Sequence, residues 1–270
     1  MENNPMNNVN NQRPVRVKNE LKFREIIVKR CEDLFGCFKR IIFTGEELGG
    51  FVSRGFDDHI KVFFPSAPGK SVTPPRITEE GIVWPEGARP IGRDYTPLSF
   101  NAEKNELTLD FYLHDDGVAS EWAAKAKPGD MLAVGGPRGS LLIPTDYARQ
   151  LYLCDETGLP AIKRRCGELN AAGTAGNAVI LASARDARCR EYLADHNDMH
   201  IQWIIGEAPG RRPDNDAVLA SVKALPLSGK DCFIWATGEG GLVKAIGDFF
   251  TVQCGVEPDF VRAVAYWHDK

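Results

Sequence analysis

The chain has 270 residues, 43% hydrophobic and 26% charged, and 33 Lys+Arg against 37 Asp+Glu leave a formal charge of −4. That length supports about two globular domains with ample core, and the mildly acidic balance argues against a dedicated nucleic-acid binder. No apolar run approaches the roughly 18 residues of a spanning helix, and no secretory apolar stretch follows the N-terminus, so a cytoplasmic protein with neither nucleic acid nor membrane as partner is expected.

The first twelve residues hold six Asn and almost nothing to bury, and residues 1–14 read as a disordered tail. Arg13 to Arg30 carries seven basic and two acidic residues around Leu21, Phe23, Ile26, Ile27 and Val28. The apolar run inside the charges predicts a solvated strand face rather than a nucleic-acid arm. Short strands with Gly/Pro punctuation follow at Arg24–Cys31, Phe38–Thr44, Ile60–Phe64, Asp94–Phe100, Glu106–His114 and Asp130–Gly135. Closely spaced strands with few helices predict an antiparallel β-barrel domain over residues 15–145. Pro65 to Pro90 reads as a long loop with at most a small hairpin.

After about residue 149 the rhythm changes. Apolar runs at Leu151–Cys154, Ala178–Ala182, His200–Ile205, Cys232–Thr237 and Phe260–Tyr266 alternate with helical stretches at Leu159–Leu169, Arg185–Ala194, Ala217–Leu225 and Leu242–Cys254. That alternation predicts an α/β domain over residues 146–270, a doubly wound parallel sheet that binds ligands at the carboxyl ends of its strands. The seven cysteines are odd in number, show no C-x-x-C and sit among apolar residues, so buried free thiols and no resident metal are expected. His196 and His200 have ligand spacing on a helix, but His200 opens an apolar strand, and they read as a solvated pair.

Four segments carry chemistry. In Gly92-Arg-Asp-Tyr-Thr-Pro97, Arg93 and Tyr95 lie two apart and share a strand face. A guanidinium fork suits phosphate oxygens, and a tyrosine face suits a flat ring. In His114–Ala123 a helix opening after Gly117 would offer backbone N–H groups to an anion, with Ser120 as a simple cap on the plainer reading. Gly135-Gly-Pro-Arg-Gly139 is a turn that does not fit a dinucleotide fingerprint. The turns Asp155-Glu-Thr-Gly-Leu-Pro-Ala161 and Thr237-Gly-Glu239 follow two strands of the second half, and Ser183-Ala-Arg185 follows a third. Together these turns could cradle a nucleotide and recognise a 2′-phosphate.

In this order the segments resemble the siderophore-interacting protein family, FAD-containing NAD(P)H-dependent ferric-siderophore reductases of the ferredoxin–NADP reductase superfamily. The resemblance runs from about Arg16 to His268 and includes Ser53–His59, Thr78–Gly87 and Ala265–His268. It implies that Arg93, Tyr95 and Thr96 bind the FAD pyrophosphate, isoalloxazine and N5 edge. His114, Gly117, Ala119 and Ser120 then serve the pyrophosphate and adenine side. Asp155, Thr157, Gly238 and Glu239 become contacts to NADPH, with Ser183 and Arg185 at its phosphate and Arg188 or Lys244 as further candidates. Two positions depart from the family pattern: Val118 stands where many members have Pro, and Leu98 where many have Arg.

The resemblance implies reduction of a ferric siderophore, a catecholate by expectation, with FAD linking a two-electron nicotinamide donor to a one-electron Fe(III) acceptor. The flavin carries the chemistry, so no catalytic side chain is assigned. A polyanionic substrate needs a basic surface, for which Lys61, Arg138 and Arg262 are the candidates. A monomer is expected. A protein acceptor, as in ferredoxin or flavodoxin reductases, and a flavin-holding siderophore carrier without turnover stay open.

Overall fold

The computed structural model describes residues 13–66, 70, 72–79, 81–85, 90–115, 117–208, 210–225 and 232–269. Residues 1–12 of the expected tail, and Glu80, Glu86 and Gly87 of the long loop, lie outside them. The first half contains β1 (Val15–Lys18), β2 (Phe23–Leu34), β3 (Phe38–Thr44), β4 (Ile60–Phe64), β5 (Arg76–Thr78), β6 (Gly81–Val83), β7 (Ile91–Tyr95), β8 (Ser99–Asn101) and β9 (Glu106–Tyr112). Helix α1 (Val118–Lys125), β10 (Met131–Gly135) and β11 (Gly139–Leu142) complete it. Seven of these strands form a curled antiparallel sheet in the order β7-β4-β10-β2-β3-β9-β8, β1 pairs with β11, and β5 pairs with β6 as the small hairpin of the long loop.

Alternation decides which face is inside. Along β2, Arg24, Ile26 and Val28 are buried while the residues between them are half-exposed. The interior is filled by Ile26, Phe43, Val62, Leu109 and Phe111. Rings from the two edge strands reach across it, Tyr95 to Phe111 at 4.4 Å between centroids and Phe100 to Phe51 at 5.2 Å. The strand expected over Asp94–Phe100 is broken into β7 and β8, because Pro97 has no N–H to give a ladder.

The second half contains β12 (Arg149–Cys154), α2 (Leu159–Ala172), β13 (Ala178–Ala184), β14 (His200–Ile205), α3 (Asn215–Lys223), β15 (Cys232–Glu239), α4 (Gly240–Asp248) and β16 (Val261–Trp267). The sheet is parallel, in the order β14-β13-β12-β15-β16. The chain winds from β12 outward to β14 and then returns to the other side at β15, so the switch point lies between β12 and β15. The helix expected over Arg185–Ala194 is a 3-10 segment, Ala187–Leu193. Two of its three buried residues, Cys189 and Tyr192, are three apart, the repeat that a 3-10 turn places on one face. The last expected helix begins earlier, at Gly240, and passes into a π turn at Phe249–Gln253.

The two halves share one apolar core in which Phe38 and Phe56 pack with the second sheet. Polar ties cross the same boundary. Within the barrel half Arg40 donates twice to Asp110, at 2.8 and 2.7 Å, and Tyr192 of the second half donates to the same carboxylate at 2.5 Å. Arg164 donates to the hydroxyl and carbonyl of Ser53 and to the Pro97 carbonyl at 2.8 Å. The loop that follows Tyr95 is therefore held by α2 of the other half.

Candidate functional site

The turns at the carboxyl ends of β12 and β15 face each other across the switch point. Asp155 opens the first, accepting from the Thr157 N–H at 2.9 Å and from its hydroxyl at 2.5 Å. Its other oxygen accepts from the indole N–H of Trp267 at 2.6 Å. Gly238 stands opposite with φ 139°, and a Cβ there would lie 3.0 Å from the Asp155 carboxylate. A glycine is required by both the backbone and the close approach. Burial pushes the Asp155 carboxyl up, against the pull of Thr157 and Trp267.

Glu156 is buried beside it and joins the halves. It accepts from the Tyr112 hydroxyl at 3.1 Å and from the Arg185 N–H at 2.6 Å. Burial, with Asp155 next to it, raises its carboxyl above the ordinary range. Glu239 caps α4 by accepting from the Leu242 N–H at 2.9 Å, and the amides of Gly241 and Leu242 hold its carboxyl low. Ser183 lines the same cleft and donates to the Cys154 carbonyl at 3.4 Å. Arg188 is taken up by Asp186 and Lys244 by Asp248.

At the barrel edge, β7 pairs with β4 so that Arg93 and Tyr95 stand opposite the buried Val62 and Ile60. Both therefore share that face, as the two-residue spacing predicted. Arg93 is exposed and donates to the Gly92 carbonyl of its own strand at 2.9 Å. Thr96 is buried, as is Thr237, whose hydroxyl donates to the Val264 carbonyl at 2.9 Å. Ser120 does not cap α1: its hydroxyl accepts from the His114 N–H at 2.8 Å and donates to the His114 carbonyl at 2.7 Å. The helix N-terminus at Gly117 has no side-chain cap, and the Gly117 φ of 132° leads the chain into it. A Cβ at Gly117 would press on the His114 ring at 3.1 Å, and Ala119 is buried beneath.

The comparisons agree with this arrangement. The siderophore-interacting FAD-binding domain model matches residues 27–141, and the siderophore-interacting protein model matches residues 147–270. The chain belongs to the siderophore-interacting protein family. The NADPH-dependent ferric-chelate reductase of Escherichia coli is 49% identical over 257 residues, 95% of this chain and 97% of that one. The ferric vibriobactin reductase ViuB of Vibrio cholerae is 28% identical over 234 residues, 84% of this chain and 83% of that one. The crystal structure of a siderophore utilization protein from T. fusca superposes with a TM-score of 0.81 at 29% identity, covering 94% of this chain and 96% of that one.

For this siderophore-interacting protein, two of the expected substrate bases, Lys61 and Arg138, lie on the barrel half, and Arg262 lies on β16 of the second sheet. Lys61 stands opposite Gly135, three residues before Arg138, and is paired with Asp94 at 2.7 Å. Arg138 is exposed. Arg262 is paired with the buried Asp57, which also accepts from the Trp235 indole at 3.1 Å. Arg212 also belongs to the cleft and is not singled out by the sequence, whereas Glu156 lies inside the Asp155–Ala161 turn and Trp267 inside the Ala265–His268 segment, neither with a role of its own. A pairing across 112 residues, such as Asp155 with Trp267, leaves no local signal.

Proposed function

We propose that the chain is an NADPH-dependent reductase that acts through FAD on ferric siderophores and related ferric chelates and releases Fe(II) for cellular iron use. The observation that carries the reading is the meeting of two motifs. Arg164 of α2, the helix that follows the Asp155 turn, donates to the Pro97 carbonyl beside Thr96 of the Arg-x-Tyr-Thr segment at 2.8 Å. The family membership supports the same reading.

The residues at the barrel edge fit a flavin dinucleotide. Arg93 offers an exposed guanidinium, and α1 offers amides with no side-chain acceptor, a donor set suited to a diphosphate. Tyr95, with Thr96 beside it, would set the ring. His114 and Ser120 hold the turn that leads into the helix, and Gly117 and Ala119 leave it open to close approach. Bound FAD supplies the link between a two-electron donor and a one-electron acceptor. Asp155, Thr157, Ser183, Gly238 and Glu239 form the NADPH side, with Arg185 tethered to it through Glu156.

Lys61, Arg138 and Arg262 are the bases that would attract an anionic catecholate chelate. Fe(II) binds hard anionic oxygens less strongly than Fe(III), so reduction loosens the iron. A monomer in the cytoplasm fits seven free thiols. The test is direct: the purified protein is yellow and, with NADPH, turns a ferric tricatecholate into Fe(II) trapped by ferrozine. A colourless protein would sink the reading, and a flavoprotein that reduces only a protein acceptor would replace it with a ferredoxin-type reductase.

A further inference from the structure

Among the described residues that line the nucleotide cleft, Asp155, Glu156 and Glu239 are acidic and Arg212 alone is basic. A dinucleotide rich in phosphate charge meets one cation there. Arg212 follows β14 in a loop that doubles back at Gly206, where a Cβ would lie 1.8 Å from the Arg211 carbonyl oxygen. That close approach, open only to glycine, delivers Arg212 to the cleft rim.

The guanidinium of Arg212 lies 3.8 Å over the ring of Trp267 and donates to the Asp269 carboxylate at 2.9 Å. Trp267 is anchored in turn by Asp155, and the His268 ring lies against Gly240, where a Cβ would be 2.2 Å from its Nδ1. The C-terminal segment thus runs along the cleft and offers one arginine a flat aromatic ring and an anion together. A purine nucleotide with a phosphate on its ribose offers the same two groups, and an arginine fork takes both, stacking on one and bonding the other.

We propose that Arg212 recognises the 2′-phosphate at the adenosine end of NADPH, and that Trp267 and Asp269 of the chain's own C-terminal segment occupy this grip until the nucleotide displaces them. The inference rests on the NADPH reading above and deepens it. The turns at Asp155 and Gly238 flank the switch point between β12 and β15, whereas β14 is the sheet edge two strands away from β12. The loop after β14 carries Arg212 back across the strand ends to Trp267 at the end of β16, beside Asp155, so an adenosine end seated at this rim meets the guanidinium. Arg185 does not line the cleft, and its backbone N–H is held by Glu156.

The test is calorimetric titration of the full-length, FAD-loaded protein with NADP+ and with NAD+. Arg212→Gln raises the Kd for NADP+ by roughly 10- to 100-fold, the range for one charge-assisted hydrogen bond, and changes NAD+ little. Asp269→Asn frees the arginine and lowers the Kd for NADP+ by about 2- to 5-fold, the scale of an exposed ion pair. Equal losses of NADP+ and NAD+ in Arg212→Gln overturn the phosphate role, and an unchanged or weaker NADP+ affinity in Asp269→Asn overturns the tail's part. A wild-type protein that binds neither nucleotide overturns the NADPH reading along with both.

Discussion

Asp57 sits where fold and substrate attraction compete, and Asp57→Asn separates them. Its side chain is 3% exposed and holds two donors, the Trp235 indole and the Arg262 guanidinium, whose side chain is 21% exposed. An amide in its place keeps one acceptor for the indole and leaves the guanidinium without a counter-charge. Removing one partner of a buried ion pair costs about 3–5 kcal/mol. Water reaches a fifth of Arg262, so the lower end applies, and roughly 3 kcal/mol corresponds to a melting point lower by about 6–12 °C at this chain length. The same substitution releases one positive charge beside the proposed chelate site. For an anionic ferric chelate at low ionic strength, KM should fall about 2- to 5-fold, and the gain should vanish as salt screens it. The assay pairs thermal unfolding followed by circular dichroism with steady-state ferrozine kinetics at two salt concentrations. A melting point within a degree of wild type would refute the buried-pair argument, and a KM that rises would show that Arg262 does not face the substrate.

Three further outcomes follow from the same geometry. Tyr192→Phe removes one donor from the Asp110 carboxylate while Arg40 keeps its two bonds, so urea unfolding should report a loss of about 1.5–3 kcal/mol, the worth of a hydrogen bond to a charged group. Glu156 has a raised carboxyl in the fold, so the native state holds this proton to a higher pH than the unfolded chain and loses stability as pH rises through that raised value. Glu156→Gln keeps an oxygen for Tyr112 and Arg185, so its urea midpoint should exceed wild type at pH 8 and match it below the unfolded carboxylate pKa of about 4.3; a deficit at pH 8 would refute the argument. Arg138→Ala should raise KM for the anionic chelate in a salt-dependent way and more than Lys61→Ala does, because Asp94 already neutralises Lys61; equal effects would refute that reasoning.

Much of this fold is legible in the residues alone. The strands at Phe38–Thr44, Ile60–Phe64 and His200–Ile205 stand at the boundaries that alternation or an apolar run predicts. The strand-end turns are equally legible, because Asp155, Gly238 and Glu239 encode local conformations: a side chain that closes a turn, a residue free of a Cβ, and a helix cap. Where local reading fails, a local rule was outweighed. Asp94–Phe100 looks like one extended run until Pro97 withholds its N–H, and Arg185–Ala194 has helical composition but is drawn into a tighter coil around Cys189 and Tyr192.

Charge is where sequence says least, because the freedom of a cation depends on what folds against it. Arg262 and Arg138 are equivalent as written, two of 33 basic residues. In the fold Arg262 is bound to Asp57, a residue 205 positions away, while Arg138 stands exposed in its turn. Arg212 is the reverse case. It has no motif around it, and its significance comes from three acids that topology gathers at the same strand ends, and from an aromatic ring and a carboxylate that the C-terminus brings to it. A net charge of −4 therefore says nothing about how an anionic nucleotide and an anionic chelate are both admitted. Each needs only a cation in the right place, and the proposed ones lie apart: Arg212, carried over Trp267 by the loop after β14, for the nucleotide, and Lys61 and Arg138 on the barrel half for the chelate.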